Sequence, residues 1–381
     1  MLRAHPDAST PSQRLAQILL FLCGDVMTGR GIDQILPDPS EPTIHERYVQ
    51  SALSYVRLAE EKNGPIPRSV EPSYIWGDAL EELERVKPEA RIVNLETAVT
   101  YSDHWLDKGI NYRMNPKNVA CLSAAAIDCC VLANNHVLDW GELGLVETLD
   151  TLHAAGLRTA GAGKDRLEAQ APAVLPFGDA HRVLIFSLAA ESSGVPANWA
   201  ATDRAPGVDF LADLSQRTVE RIARRVLSVR RAGDLVVASI HWGSNWGYEV
   251  SAAEVRFAHA LIEHAGIDLF HGHSSHHPKG LEVFRGKLII YGCGDFINDY
   301  EGITGYELFR GDLGCMYFPR LDANTGQLLG LELVPMQTKR FRLQRASETD
   351  AGWLCSALDR ESHRFGASAL LRSTHRIELQ W

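Results

Sequence analysis

Positive charge is the scarcer kind in this sequence of 381 residues. Lys and Arg number 38 against 48 Asp and Glu, for a formal net charge of −10. That balance excludes a general nucleic-acid binder, which would present a basic face. Cysteine is sparse and irregular. Its seven residues, Cys23, Cys121, Cys129, Cys130, Cys293, Cys315 and Cys355, form an odd set without a C-x-x-C spacing, mostly inside apolar runs. Buried free thiols in a reducing compartment suit that pattern better than a disulfide framework. Long apolar runs are missing as well. Ala16–Cys23 is too short to span a bilayer, and Pro, Ser and Asp occupy the place of a basic leader before it. The expectation is a disordered lead-in over residues 1–16 and a cytoplasmic protein with no direct membrane insertion. Internal repeats and low-complexity tracts are also absent.

What is present is ordinary globular material, 45% hydrophobic and 23% charged, in a chain long enough for a large core. The apolar runs Ile18–Cys23, Arg91–Val93, Ile127–Ala133, Leu235–Ile240 and Ile267–Phe270 read as buried strands. Between them the spacing predicts helices near Tyr48–Lys62, Asp78–Val86, Pro116–Ala126, Glu142–Ala155, Leu214–Arg231 and Ala252–Ala265. Strands alternating with helices give an α/β fold, in which ligands gather at the carboxyl ends of the strands. Hairpins are expected around Arg285-Gly286 and Asn324-Thr325-Gly326. Residues 17–340 then form one domain, and the charged stretch 341–381 is an extension packing on it.

The strand ends carry the chemistry. His271–His277, HGHSSHH, holds four histidines in seven residues, directly after the run Ile267–Phe270. Together the strand-like runs deliver Asp25, Glu96, Asn135-His136, His241, His273 with His276, and Asp295. Burying such groups unpaired costs several kcal/mol each, so their recurrence at one end of successive strands points to a site. Asp25 and Glu96 have plainer readings as a turn former and a cap. Carboxylates, an amide oxygen and imidazoles together suit Zn, Mn or Fe, as one or two divalent ions, better than Mg or Ca. Glu96 could bridge two such ions about 3.5–4 Å apart. Asn94 and Asp295 are expected to orient the ligands. Asp139 follows His136 closely enough to join its proton chemistry, and Glu249 could act as acid or base. Asn245 and Trp246 are candidates for lining a substrate cleft. Arg30 either meets an anionic or peptide-like substrate as a bidentate donor or pairs with Asp33. His153, His181, His259 and His264 read as structural, and Cys293 has no base at motif spacing.

The motifs GDVMTGR (24–30), NLET (94–97), ANNHVLDWG (133–141), HWGSNWGYE (241–249), GHSSHHPKG (272–280) and LIIYGCGDFIND (288–299), taken together, resemble the capsule-synthesis CapA family, associated with poly-γ-glutamate production. The resemblance runs from about Leu20 to Asp299 and follows the family's motif order. That family is similar in turn to calcineurin-like metallophosphoesterases, which implies a four-layer α/β/β/α sandwich with a dinuclear metal centre. Carried over, Asp25 matches the first metal carboxylate and Glu96 the bridging one. Asn135, His241, His273 and His276 match the remaining ligands, and His136 the histidine that protonates a leaving group. Two departures stand out: Met27 occupies a place where phosphoesterases carry His, and G-H-S-S-H is one residue longer than G-H-x-H. They weaken one metal position and leave a single ion or an altered pair. The implied activity is hydrolysis or transfer at a γ-glutamyl or other peptide-like amide, or at a phosphoester, by activated water. The alternative is a non-catalytic accessory subunit working with polymer-synthesis partners.

Overall fold

The computed structural model describes residues 17–178, 181–372 and 375–381; the expected lead-in, residues 1–16, lies outside them. An unbroken apolar run marks a strand covered on both faces. The first such run, Gln17–Val26, lies inside a ten-stranded sheet. Along that sheet run Ser368–Leu371, Ile377–Gln380, Leu328–Lys339, Leu313–Asp322, Gln17–Val26, Ala90–Leu95, Cys129–Val131 and Arg158–Ala160. The last four are mutually parallel, and Asp295–Ile297 pairs alongside Gln17–Val26. A second sheet of seven strands is built around His181–Ala190, Asp234–His241, Leu269–His273 and Lys287–Ile290, again parallel.

Each sheet buries both faces. Val56, Leu83, Leu145 and Leu149, on the helices Leu53–Asn63, Ala79–Val86 and Gly141–Ala154, join Phe21, Val93 and Cys130 in one apolar cluster. On the opposite face Leu20, Leu22, Ile92 and Val131 meet Val183, Ile185, Val237 and Leu269 of the second sheet. The far side of that sheet packs Phe186, Val236 and Phe270 against Ile222, Val226, Phe257 and Leu261 of the helices Gln216–Val229 and Ala252–Ala265. The result is mixed α/β architecture with the carboxyl ends of two parallel strand sets side by side.

Local chemistry sets the approach to the site. The helix Ala252–Ala265 begins at a capping box between Ser251 and Glu254 and stops at Gly266, whose φ of 68° is left-handed. The strand Leu269–His273 then lies in parallel register with Asp234–His241, so that Ser239 faces His271 and His241 faces His273. Side chains alternate along a strand, which puts all four on one face.

The carboxyl-terminal stretch contains a helix that the sequence reading did not anticipate, Glu348–His363. Its signals are Ser347, whose side chain accepts from the Asp350 N–H, and Ala351, Leu354, Cys355 and Leu358 at helical spacing. Charged residues in between obscure that stripe. Hydrogen-bonded pairing runs across residue 340, because Arg342–Arg345 pairs with Leu328–Lys339. Glu82 ties these parts together, accepting from Arg85 Nε at 2.9 Å, Arg345 Nε at 2.8 Å and Arg376 Nη2 at 2.7 Å. Against burial, which raises it, the three guanidinium groups bring its carboxyl down to about 2. Glu82→Gln should therefore cost about 2 kcal/mol near pH 7 in urea unfolding. A depressed carboxyl stabilises above its unfolded value near 4.5 and loses that contribution as pH falls through about 2. The difference between parent and variant should thus be full at pH 7 and vanish towards pH 2; an unchanged difference at both ends would contradict the assignment.

Candidate metal centre

Where the two parallel strand sets meet, Asp25, His241 and His273 bring one carboxylate oxygen and two ring nitrogens within 4.8 Å of one another, all buried. His241 Nδ1 and His273 Nδ1 are 2.8 Å apart, and Asp25 Oδ1 is 3.8 Å from His273 Nδ1. Close backbone packing places the carboxylate. A Cβ on Gly24 would fall 1.5 Å from the Gly294 carbonyl oxygen, a space open only to glycine. The Asp25 N–H donates to that carbonyl at 3.1 Å, and the register sets Asp25 beside Asp295. The tripeptide Cys-Gly-Asp thus occurs twice, at 23–25 and 293–295, and its two copies pack on each other.

The directions of the buried hydrogen bonds decide whether a cation fits. The Cys23 carbonyl can only accept, so His271 Nε2, 2.7 Å away, carries a proton. Being neutral, with burial holding it down to about 4, His271 accepts at Nδ1 from the Ser239 hydroxyl at 3.0 Å. That hydroxyl then accepts from His273 Nε2 at 2.8 Å, which leaves His273 Nδ1 a bare lone pair. From the other side, His241 Nε2 donates to Asn135 Oδ1 at 3.0 Å and leaves His241 Nδ1 bare too. Burial keeps both rings well below the ordinary histidine range and so uncharged. Two lone pairs facing each other beside a carboxylate repel, and a divalent cation resolves them. The donor set of one carboxylate and two imidazoles fits Zn, Mn or Fe. Ser239→Ala would break the relay that fixes the His273 tautomer. It should weaken metal affinity about 10–100-fold in a chelator competition, with the fold retained.

Anionic crowding points the same way. Asp25 is pushed up to about 7, mainly by burial and then by Asp295, against hydrogen bonds from Asn94 and others. Glu96 is raised well above its usual range by burial, Asp25 and Asp295. Its Oε1 lies 3.8 Å from both His136 Nε2 and His241 Nε2. Asn94 Nδ2 donates to Asp25 Oδ1 at 2.8 Å, and the Ser274 N–H to Asp25 Oδ2 at 3.2 Å.

A cleft of about 1170 Å³ opens above this centre, with Glu96, Asn135, His136, His241 and His276 in its lining. His136 Nδ1 donates to Asp139 Oδ2 at 2.7 Å, which leaves Nε2 free on the side of Glu96. Burial outweighs Asp139 and, with Lys108 helping, brings His136 down to about 4. Lys108 reaches Asp139 Oδ1 at 2.6 Å and the Asn135 carbonyl. The Tyr112 ring stacks on His136 at 3.8 Å between centroids.

With that geometry in view, residues 19–300 match the family described as bacterial capsule synthesis protein PGA_cap. The chain belongs to that family. Among its relatives, a probable polyglutamine synthesis accessory protein of Mycobacterium tuberculosis is 47% identical over 364 residues, covering 95% of this chain and 96% of that one. The PGA biosynthesis protein CapA of Bacillus subtilis is 29% identical over 209 residues, 54% of this chain and 52% of its own. The capsule biosynthesis protein CapA of Bacillus anthracis is 26% identical, covering 51% and 45%.

This PGA_cap family member gathers most of the residues singled out by sequence. Asn135 Oδ1 lies 3.0 Å from His241 Nε2. His276 belongs to a separate pair, its Nδ1 3.0 Å from Asp295 Oδ1; against burial, Asp295 holds it above the ordinary histidine value. Arg30 does not pair with Asp33: it lies buried between Asp299 and Glu46. Asp33 instead accepts from Asn115 and Asn118. Asn245 and Trp246 line the cleft, Trp246 stacked on Tyr306 at 4.1 Å. Glu249 is exposed and is not in the cleft lining, so the structure does not bring its carboxylate to the site. Ser239, Lys108 and Tyr112 were not anticipated. Only Ser239 had a usable signal, being the polar residue two positions before His241 in an otherwise apolar run. Among the described residues, no helix is long and apolar enough to cross a membrane.

Proposed function

We propose that this protein is a metal-dependent hydrolase or transferase of the CapA type, on a calcineurin-like four-layer α/β/β/α sandwich. Its substrate would be a glutamate polymer or another γ-glutamyl or peptide-like amide, with a phosphoester as the other bond the site could serve. One observation carries the reading: two buried imidazole lone pairs 2.8 Å apart beside Asp25, under a large cleft. When bound there, a divalent ion of the Zn, Mn or Fe class supplies a Lewis acid and acidifies water at neutral pH. The chain does the rest. Glu96 contributes a second carboxylate at the cleft floor. His136, neutral and held by Asp139, accepts a proton at Nε2 and returns it to a leaving group. All seven cysteines are buried and unpaired, which supports a reducing, cytoplasmic setting.

A second reading is a non-catalytic accessory subunit for polymer synthesis, favoured by the name of the Mycobacterium tuberculosis relative, a probable polyglutamine synthesis accessory protein. His241→Ala separates the two. In the enzyme it should lower turnover of γ-glutamyl amides or phosphoesters by about 10²–10³-fold, the scale of losing electrostatic stabilisation at a reacting oxygen. In the accessory subunit it should leave assembly with synthesis partners intact and remove no activity.

A further inference from the structure

The wall of the cleft formed by the end of the helix Leu53–Asn63 and the turn after Leu328–Lys339 has no role in the chemistry above. Glu301 builds it. Its Oε1 accepts from Asn63 Nδ2 and from the Arg340 N–H at 2.7 Å, and its Oε2 from the Phe341 N–H at 2.6 Å. Three donors thus satisfy the Glu301 carboxylate. They also clamp the helix end to a turn whose Arg340 and Phe341 both have left-handed φ, 56° and 55°. Each clamped residue has a lysine as its neighbour. Lys62 precedes Asn63 and Lys339 precedes Arg340, and both lysines line the cleft. Neither is in an ion pair among the described residues. The other charged groups on this side are spoken for: Arg310 is held by Asp312 and Asp350, and Asp312 also takes Gln337 Nε2. Glu307 is the anion that feels Lys62, and its carboxylate accepts from the Gly305 N–H.

We propose that Lys62 and Lys339 form an anion subsite, pre-set by Glu301, that holds a carboxylate of an acidic peptide-like chain while another part of that chain lies over the metal centre. This rests on reading the cleft as the substrate site. A volume of about 1170 Å³ far exceeds what one small anion fills, so a chain crossing from this wall to His241 suits the space. Two ammonium groups act as point charges, which recognise carboxylates without demanding a planar, bidentate partner. The wall has no free backbone amide at Glu301 to add, because Arg340 and Phe341 have already committed theirs.

The test uses the full chain loaded with metal and a labelled hexamer of γ-linked glutamate. A γ-linked glutamine hexamer and inorganic pyrophosphate serve as comparisons. Two exposed ion pairs support an expected loss of about tenfold in affinity for the glutamate hexamer in the double variant Lys62→Gln, Lys339→Gln. Metal content and melting temperature should be unchanged, the salt dependence shallower, and the double arginine variant should bind like the parent. Equal binding by parent and double glutamine variant would overturn the subsite. So would a parent that carries metal yet fails to bind the glutamate hexamer, or a variant that loses only pyrophosphate. A parent that carries no metal would instead count against the proposed activity, which keeps the two failures distinct.

Discussion

Replacing Arg30 by methionine should lower the unfolding free energy by about 3–5 kcal/mol, the usual cost of stranding buried charges. The side chain is almost wholly buried, with Nε 3.1 Å from Asp299 Oδ2 and Nη1 2.8 Å from Glu46 Oε1. Its guanidinium lies 3.8 Å over the Tyr55 ring and 4.8 Å from that of Tyr112. Tyr55 donates in turn to Glu46, and the Gly31 N–H to Asp299. Methionine fills much of the volume and faces the same left-handed φ of 43°, so the change isolates the charge. It leaves Asp299 and Glu46 in the interior without a cation. Lysine should recover only part of the loss, because an ammonium cannot reproduce the fork across both Asp299 oxygens. A stable domain has about 5–15 kcal/mol in hand, so this one change removes roughly a fifth or more. The check is the urea midpoint at constant slope. A midpoint equal to the parent's would mean that the buried cluster adds nothing net.

The second large effect concerns Asp25, the carboxylate of the proposed metal centre. In the parent, an ion at a hundred times its dissociation constant should raise stability by about 2.7 kcal/mol. Asp25→Asn should abolish that gain. Without metal the variant should differ little from the parent, for two opposing reasons. Removing one charge relieves crowding with Glu96 and Asp295, while the new amide cannot accept from both Asn94 and the Ser274 N–H. Each effect is on the order of 1–3 kcal/mol. Thermal melts with and without added Zn, Mn or Fe measure both statements. A variant that is still stabilised by the ion as strongly as the parent would remove Asp25 from the centre.

Much of this was written in the order of residues along the chain. Asp25, Asn94, Glu96, His241 and His273 end apolar runs, and buried parallel strands deliver such ends to one edge. The helix Ala252–Ala265 was legible to the residue because its cap, stripe and stop are all local. What local rules cannot supply is register between distant strands. That register decides that His271 and His273 face Ser239 and His241, while His277 is occupied elsewhere, accepting from the Gly247 N–H at 3.1 Å. The same limit hid the partner of Arg30. Asp33 is three residues away, whereas Asp299 is 269 away and is reached only when Asp295–Ile297 lines up beside the first strand. Glu249 follows Gly247, whose φ of 102° turns the loop in a direction no spacing predicts.

Asp25, His241 and His273 are proposed to hold a divalent ion. Plasma mass spectrometry on protein purified without a histidine tag tests it most directly, before and after chelation and reconstitution with Zn, Mn or Fe. At least one equivalent per chain is expected in the parent, and none in His273→Ala. A parent that takes up no metal under any of these conditions would contradict the account.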